Sequence, residues 1–122
     1  MNVKQAAEKI GMSAHTIRYY DKSGLFPFIE RDQNGNRDFK EEDLYWIEFV
    51  KCMRQTHMPI AQIKQIAELY HQGPATKNDR IEILKLHQQN LMQQSTLIEE
   101  ALNTLEHKIY AYRKGITSFG RI

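Results

Sequence analysis

A long repeating apolar pattern near the end of the sequence constrains this chain more than any other feature. From residue 81 onward, ten positions follow one another in alternating steps of three and four residues, and eight of the ten are apolar. A seam sustained over more than four heptads is typical of a coiled coil. The ten positions are Ile81, Leu84, Gln88, Leu91, Ser95, Ile98, Leu102, Leu105, Ile109 and Tyr112.

A helix of this length cannot bury its apolar stripe alone. At ~1.5 Å per residue it would extend for about 50 Å, so the stripe needs a partner surface of similar length. A second copy of the chain is the obvious partner. We place the dimerisation helix at 78–113, in an antiparallel coiled coil, and a short tail at 114–122. The expected homodimer interface includes Ile81, Leu84, Leu91, Ile98, Leu102, Leu105 and Ile109.

The beginning of the chain has the pattern of two short helices joined by a tight turn. Apolar residues at helical spacing over Val3–Ile10 predict the first helix, and Gly11 is suited to end it. Ser13 is a good N-cap for the second helix. Two steeply crossing helices need a small residue at the crossing, here Ala7, and an inward apolar anchor, here Ile17. The pattern is typical of a helix-turn-helix, and an ordinary helical corner is the alternative.

The outer face of the second predicted helix carries hydrogen-bond donors. His15, Thr16, Arg18 and Tyr19 offer groups suited to phosphate oxygens and base edges, although a solvated surface would carry similar residues. The net charge of +2 is too small to indicate nucleic acid by itself. Any basic surface must therefore come from local clustering.

The segment from 25 to 74 predicts a wing and two further helices. Strand-favouring residues flank Asn34-Gly35, a strong hairpin signal, and predict a small two-stranded wing within 25–39. Acidic residues open a third helix at 41–56, and Pro59 opens a fourth that Gly73-Pro74 ends. We therefore expect an all-α fold with a small β wing, its winged helix-turn-helix domain spanning 1–74.

The stretch SAHTIRYYDKSGL at 13–25 resembles the signature of the MerR family of bacterial transcription regulators. The resemblance continues through NGNRDF at 34–39, EDL at 42–44 and MPI at 58–60, and covers essentially the whole chain. It implies a homodimer that binds a palindromic promoter site, distorts the long spacer DNA and acts on the same promoter as bacterial RNA polymerase. It also implies DNA contacts from Ser13, Thr16, Arg18 and Tyr19, and a phosphate contact from Arg37 in the wing.

The sequence departs from the family pattern at two positions. Asn36 stands where many members have Tyr beside the wing Arg, so the wing contacts of this chain can differ from theirs. His57 stands where many members have the glycine that ends the third helix. Because glycine adopts positive φ freely and histidine does so only at an energetic cost, the second departure predicts a strained or differently closed turn.

The single cysteine, Cys52, lies in the third predicted helix. A lone Cys is more often a small hydrophobic residue than a reactive thiol. Glu48, one turn earlier, disfavours the thiolate, so a reactive Cys52 would need a nearby cation such as Lys51 or Arg54. The segment nevertheless resembles a branch of MerR regulators that respond to aldehydes and other thiol-reactive electrophiles. That resemblance makes Cys52 the candidate effector-sensing residue.

Other classes of function find little support in the sequence. One Cys and five scattered His cannot supply the local ligand sets of a metal site, and no residue pattern typical of catalysis is present. We expect no cofactor, no metal and no enzymatic activity. The absence of a signal segment and of paired cysteines predicts a cytoplasmic protein without membrane contact. Two alternatives stay open, namely an excisionase-like DNA-bending protein and a coiled-coil adaptor that binds no DNA.

Overall fold

The computed structural model describes residues 1–117 and 120–121, and it divides into two compact units, Met1–Ile83 and Leu84–Ile122. The described part is mostly helical. Its helices are α1 (Val3–Ile10), α2 (Ala14–Lys22), α3 (Glu41–Gln55), α4 (Ile60–Gln72) and α5 (Lys77–Arg113), with a 3-10 turn at Pro74–Thr76 before α5. Two short strands, β1 (Ile116–Thr117) and β2 (Gly120–Arg121), pair antiparallel.

Side-chain caps define where α1 and α2 begin and end. The Asn2 side chain accepts a hydrogen bond from the backbone N–H of Gln5 at 2.8 Å, and Oε1 of Gln5 accepts one from the backbone N–H of Asn2 at 3.0 Å. Gly11 ends α1 in the left-handed region, with φ of +67°. Ser13 then accepts a hydrogen bond from the N–H of Thr16 at 3.0 Å and starts α2. The turn between the helices is therefore fixed at both ends by local chemistry.

The core of the Met1–Ile83 unit is apolar and draws on α1 to α4 and on the segment between α2 and α3. Ala7 is 6% exposed and Ile17 is fully buried, as two closely crossing helices require. The buried apolar residues are Ala6, Ala7, Ile17, Tyr20, Leu25, Phe26, Ile29, Phe39, Trp46, Ile47, Val50, Met58, Ile63, Ile66 and Ala67.

The wing between α2 and α3 is less regular than the sequence predicts. Its turn lies at the predicted Asn34-Gly35 position, but the two strands are shortened to one antiparallel bridge between Arg31 and Arg37. The Asp32 carboxylate accepts hydrogen bonds from the N–H groups of Asn34 (2.9 Å) and Asn36 (3.1 Å). A turn closed by a side chain thus replaces part of the strand ladder.

The turn from α3 to α4 has the strain that His57 predicts. Its φ is +64°, and no other non-glycine residue in the described ranges has a positive φ. The N–H of Met58 donates to the carbonyl of Met53 at 3.1 Å, and that of His57 to Arg54 at 3.0 Å. These are the two hydrogen bonds of a Schellman motif, which requires the left-handed conformation at the intervening residue.

The elbow from α4 to α5 is organised around the buried side chain of Thr76. Its hydroxyl lies 2.6 Å from the carbonyl oxygen of Leu69 and 2.8 Å from that of Gly73. It also accepts a hydrogen bond from Nε of Arg80 at 3.1 Å. The Arg80 guanidinium in turn lies over the ring of Tyr70, 5.2 Å from its centroid. One hydroxyl therefore joins the end of α4 to the first turn of α5.

α5 is 37 residues long and covers the region where the sequence predicts a helix over 78–113. Ile98, Leu102, Leu105 and Ile109 on its apolar seam are 52% to 59% exposed. Such a strip of exposed large apolar residues indicates an interaction surface. The predicted tail at 114–122 contains β1 and β2, and its residues 118, 119 and 122 lie outside the described residues.

None of the described helices has both the length and the hydropathy needed to cross a lipid bilayer.

Candidate nucleic-acid interface

A concave surface of about 450 Å³ opens between α1, the exposed face of α2 and the wing. Four of its lining residues are basic and two are acidic, so the surface carries an excess of positive charge. A polyanion lying against it would meet α2 on one side and the wing on the other. The charged lining residues are Lys4, Arg18, Asp21, Arg31, Asp32 and Arg37.

The residues of α2 predicted to contact DNA fall into two groups. His15, Arg18 and Tyr19 are exposed, and Arg18 forms no ion pair with any described side chain. Ser13 and Thr16 instead have a local partner, since their hydroxyl oxygens are 2.7 Å apart at the start of the helix. The first group therefore presents its donors to solvent, whereas the second also holds the helix N-terminus in place.

Arg37 lies in the concave surface but is already engaged. Its Nε is 3.0 Å from Oδ1 of Asp21 in α2, and its Nη1 donates a hydrogen bond to the carbonyl oxygen of Ile29. Its side chain is only 17% exposed. The predicted contact between Arg37 and a phosphate stays a prediction.

Sequence reasoning missed two cations that line the same surface. Lys4 is exposed on α1, and Arg31 is exposed across the bridge from Arg37, with its Nη1 donating to the carbonyl oxygen of Gly35 at 2.7 Å. The facing position of Arg31 and Arg37 on either side of Asn34-Gly35 is visible in the sequence. It could have indicated that both arginines belong to one surface.

The returning limb of the wing, which runs from Arg37 to α3, is joined to the start of α3 by an exposed ion pair. Nζ of Lys40 lies 2.7 Å from Oδ2 of Asp38. The hydrogen bond from Lys40 lowers the pKa of Asp38 below its ordinary value, and the same bond raises the pKa of Lys40. Both groups are therefore charged at neutral pH. Because the pair is exposed, salt screens it.

Cys52 lies apart from this surface. It is exposed on α3 and does not line the concave region. The guanidinium of Arg54, one of the cations considered for its activation, donates to the carbonyl oxygen of Met58 at 2.8 Å and is thus directed to the turn after α3. The candidate DNA-binding surface and the candidate effector-sensing residue Cys52 are therefore separate in the structure. Within the described ranges, no group of three or more His, Cys, Asp or Glu side chains is arranged to hold a metal ion.

Comparison with known protein families decides the assignment. The profile of the MerR HTH family regulatory proteins matches residues 1–69. The chain belongs to the MerR family. A second profile, for the DNA-binding region of MerR, matches residues 44–108. This MerR-family chain is a DNA-binding transcriptional regulator and not an enzyme.

Similar proteins extend over nearly the whole chain. An uncharacterized HTH-type transcriptional regulator of Haemophilus influenzae is 39% identical over 110 residues, which are 90% of this chain and 82% of that protein. The HTH-type transcriptional regulator AdhR of Bacillus subtilis is 40% identical over 93 residues, which are 76% of this chain and 66% of AdhR.

A solved structure shares the fold of the chain. The crystal structure of HiNmlR, a MerR family regulator lacking the sensor domain, bound to promoter DNA, matches with a TM-score of 0.66 and 38% identity. The match covers 93% of this chain and 90% of the HiNmlR chain. The winged helix-turn-helix fold predicted from the sequence is confirmed.

Proposed function

We propose that this MerR-family regulator binds promoter DNA through the concave surface between α2 and the wing. The observation that carries the proposal is the position of Arg18, an exposed cation on α2 that pairs with no described carboxylate and lies within a surface of net positive charge. Arg is the residue that most often reads a base edge or fixes a phosphate in DNA complexes. The structure of HiNmlR, which is 38% identical to this chain, is of a regulator bound to promoter DNA, and it supports promoter DNA as the partner.

We further propose that the protein binds DNA as a homodimer joined through α5. The exposed seam of α5 supports this, because apolar surface removed from water contributes about 25 cal/mol per Å² toward association, against the cost of joining two chains. Two winged domains related by a two-fold axis would read two half-sites of a palindrome, separated by whole DNA turns of about 34 Å. From the resemblance to MerR regulators we also propose that the dimer distorts the spacer DNA of its promoter. It would act on the same promoter as bacterial RNA polymerase, in the cytoplasm.

DNA binding is tested by Arg18→Ala, with Lys77→Ala as a control that removes an exposed cation outside the concave surface. Fluorescence anisotropy on a promoter duplex that the parent binds should show a loss of about 1 to 3 kcal/mol in binding free energy for Arg18→Ala and little change for Lys77→Ala. If Arg18 contacts a phosphate, its loss should also reduce the slope of log K against log salt by about 0.9. Equal affinities of parent and Arg18→Ala would contradict the proposed surface.

The exposure of Cys52 favours a thiol-reactive electrophile, such as an aldehyde, as the effector. Addition to the sulfur would place new bulk on α3, away from the DNA-binding surface. We expect Cys52→Ser to bind the promoter like the parent and to lose induction by the electrophile. A coupling of about 1 to 3 kcal/mol would correspond to a roughly 5- to 150-fold change in promoter output. The readout is a reporter assay on the native promoter at matched protein levels, and unchanged induction in Cys52→Ser would exclude Cys52 as the sensor.

A further inference from the structure

The ion pair between Arg37 and Asp21 joins the wing directly to α2. The two residues are 16 positions apart in the chain, and Nε of Arg37 lies 3.0 Å from Oδ1 of Asp21. Their side chains are 17% and 23% exposed, so water screens this pair less than it screens a surface ion pair. The hydrogen bond from Nη1 of Arg37 to the Ile29 carbonyl joins the same guanidinium to the base of the wing.

The wing needs such a connection because its own backbone pairing is minimal. A single bridge joins its two limbs, and the remaining contacts of its turn are local to Asp32 and Gly35. At its base the wing is also held by Met1, whose terminal amino group donates to the Phe39 carbonyl at 2.7 Å and whose carbonyl accepts from the N–H of Phe39 at 2.8 Å. None of these hydrogen bonds joins the tip of the wing to α2 or sets its distance from that helix. The side chain of Arg37 spans that distance.

Asp21 also presents an electrostatic problem for DNA binding. Its carboxylate lines the same concave surface as Arg18, so a phosphate backbone entering that surface would meet a negative charge. Arg37 neutralises this charge. Arg31, on the opposite limb, is exposed and pairs with no described carboxylate, so it is the wing cation better placed to reach a phosphate.

We propose that Arg37 is a positioning residue for DNA binding, which clamps the wing onto α2 through Asp21 and holds Arg31 toward the DNA. This inference rests on the proposed DNA-binding function. It assigns Asp21 a favourable role in binding a polyanion, although Asp21 is itself negatively charged. The clamp and a direct phosphate contact by Arg37 therefore predict opposite effects of removing Asp21.

The deciding variants are Asp21→Ala and the nearly isosteric Asp21→Asn, measured by fluorescence anisotropy on the same promoter duplex. The clamp predicts about ten-fold weaker binding for each, because the wing loses its anchor. A direct phosphate contact by Arg37 predicts tighter binding, because a negative charge disappears and the guanidinium is released. Unchanged or tighter binding by both variants would overturn the clamp.

A double-mutant cycle and footprinting separate positioning from general loss of stability. Arg37→Ala combined with Asp21→Ala should bind no more weakly than Arg37→Ala alone, whereas additive losses would overturn the clamp. Arg31→Ala defines which part of each half-site the wing protects from hydroxyl radicals. Asp21→Asn should lose protection at that same part and keep the rest. Uniform loss of protection would contradict a positioning role.

The same measurements distinguish failure of the clamp from failure of the proposed DNA-binding function. All variants are compared at a temperature where circular dichroism shows them folded. If the parent does not bind the duplex, or if Arg18→Ala binds like the parent, the proposed function fails. If the parent binds, Arg18→Ala is weakened and the Asp21 variants are not, only the clamp fails.

Discussion

At the end of α3, His57 adopts a conformation that glycine would adopt at lower cost. The left-handed region costs a non-glycine residue about 1 to 2 kcal/mol, while glycine loses roughly 0.5 to 1 kcal/mol more than alanine in chain entropy on folding. The difference favours glycine at a φ of +64°. We therefore expect His57→Gly to raise the free energy of unfolding by about 0.5 to 1 kcal/mol, measured in urea at a fixed chain concentration.

His57→Ala is the matched control for this prediction. Alanine removes the imidazole but keeps the Cβ atom that makes the left-handed region costly. It should therefore give no comparable gain. Equal stabilisation by Gly and Ala would mean that the imidazole, and not the backbone, destabilises the parent.

Single residues show why only part of the candidate site was predictable. The helical positions of Arg18 and Tyr19 follow from local periodicity, so their exposure on α2 could be expected from the sequence. The two hydrogen bonds of the Arg37 guanidinium could not be predicted. One partner, Asp21, lies 16 residues away, and the other is a backbone carbonyl whose position depends on the folded wing.

Among the elements, the helices were easier to predict than the wing because their signals are local. Apolar spacing and caps at Ser13 and Gly11 set α1 and α2 close to the expected bounds. In the wing, strand propensity and the Asn34-Gly35 turn predicted two strands. The Asp32 side chain competes for the backbone N–H groups there, and one bridge remains.

The elbow between α4 and α5 depends on the Thr76 hydroxyl. Thr76→Val keeps the shape of the side chain but removes the hydroxyl beside the Leu69 carbonyl oxygen and Nε of Arg80, while the Gly73 carbonyl oxygen keeps its hydrogen bond from the backbone N–H of residue 76. We expect a loss of about 1 to 3 kcal/mol in the free energy of unfolding, measured in urea. Thr76→Ser retains the hydroxyl and should lose less. A Val variant as stable as the parent would show that the hydroxyl does not hold the elbow.

At the scale of the whole molecule, the seam of α5 is the part of the sequence pattern that one chain cannot satisfy by itself. The regular spacing from Ile81 to Tyr112 predicted a long helix, and the structure has that helix with most of the seam exposed. A sequence shows that such a strip needs cover. It does not show which partner buries the strip, because a second copy of the chain and a different protein could bury the same apolar surface.

Association is tested with a pair of substitutions that introduce the same charge at different faces of α5. Leu102 is a seam residue, 59% exposed, whereas Gln93 is exposed at the heptad position farthest from the seam. We expect sedimentation velocity at micromolar concentration to show a dimer for the parent and for Gln93→Lys. Leu102→Lys should sediment as a monomer, because burying an unpaired ammonium group in the seam costs more free energy than the interface gains. The monomer should also bind the palindromic duplex much more weakly, since it carries one winged domain and the second half-site is no longer bound by a domain tethered to the first. A Leu102→Lys protein that remains dimeric and binds DNA like the parent would show that the seam is not the dimer interface.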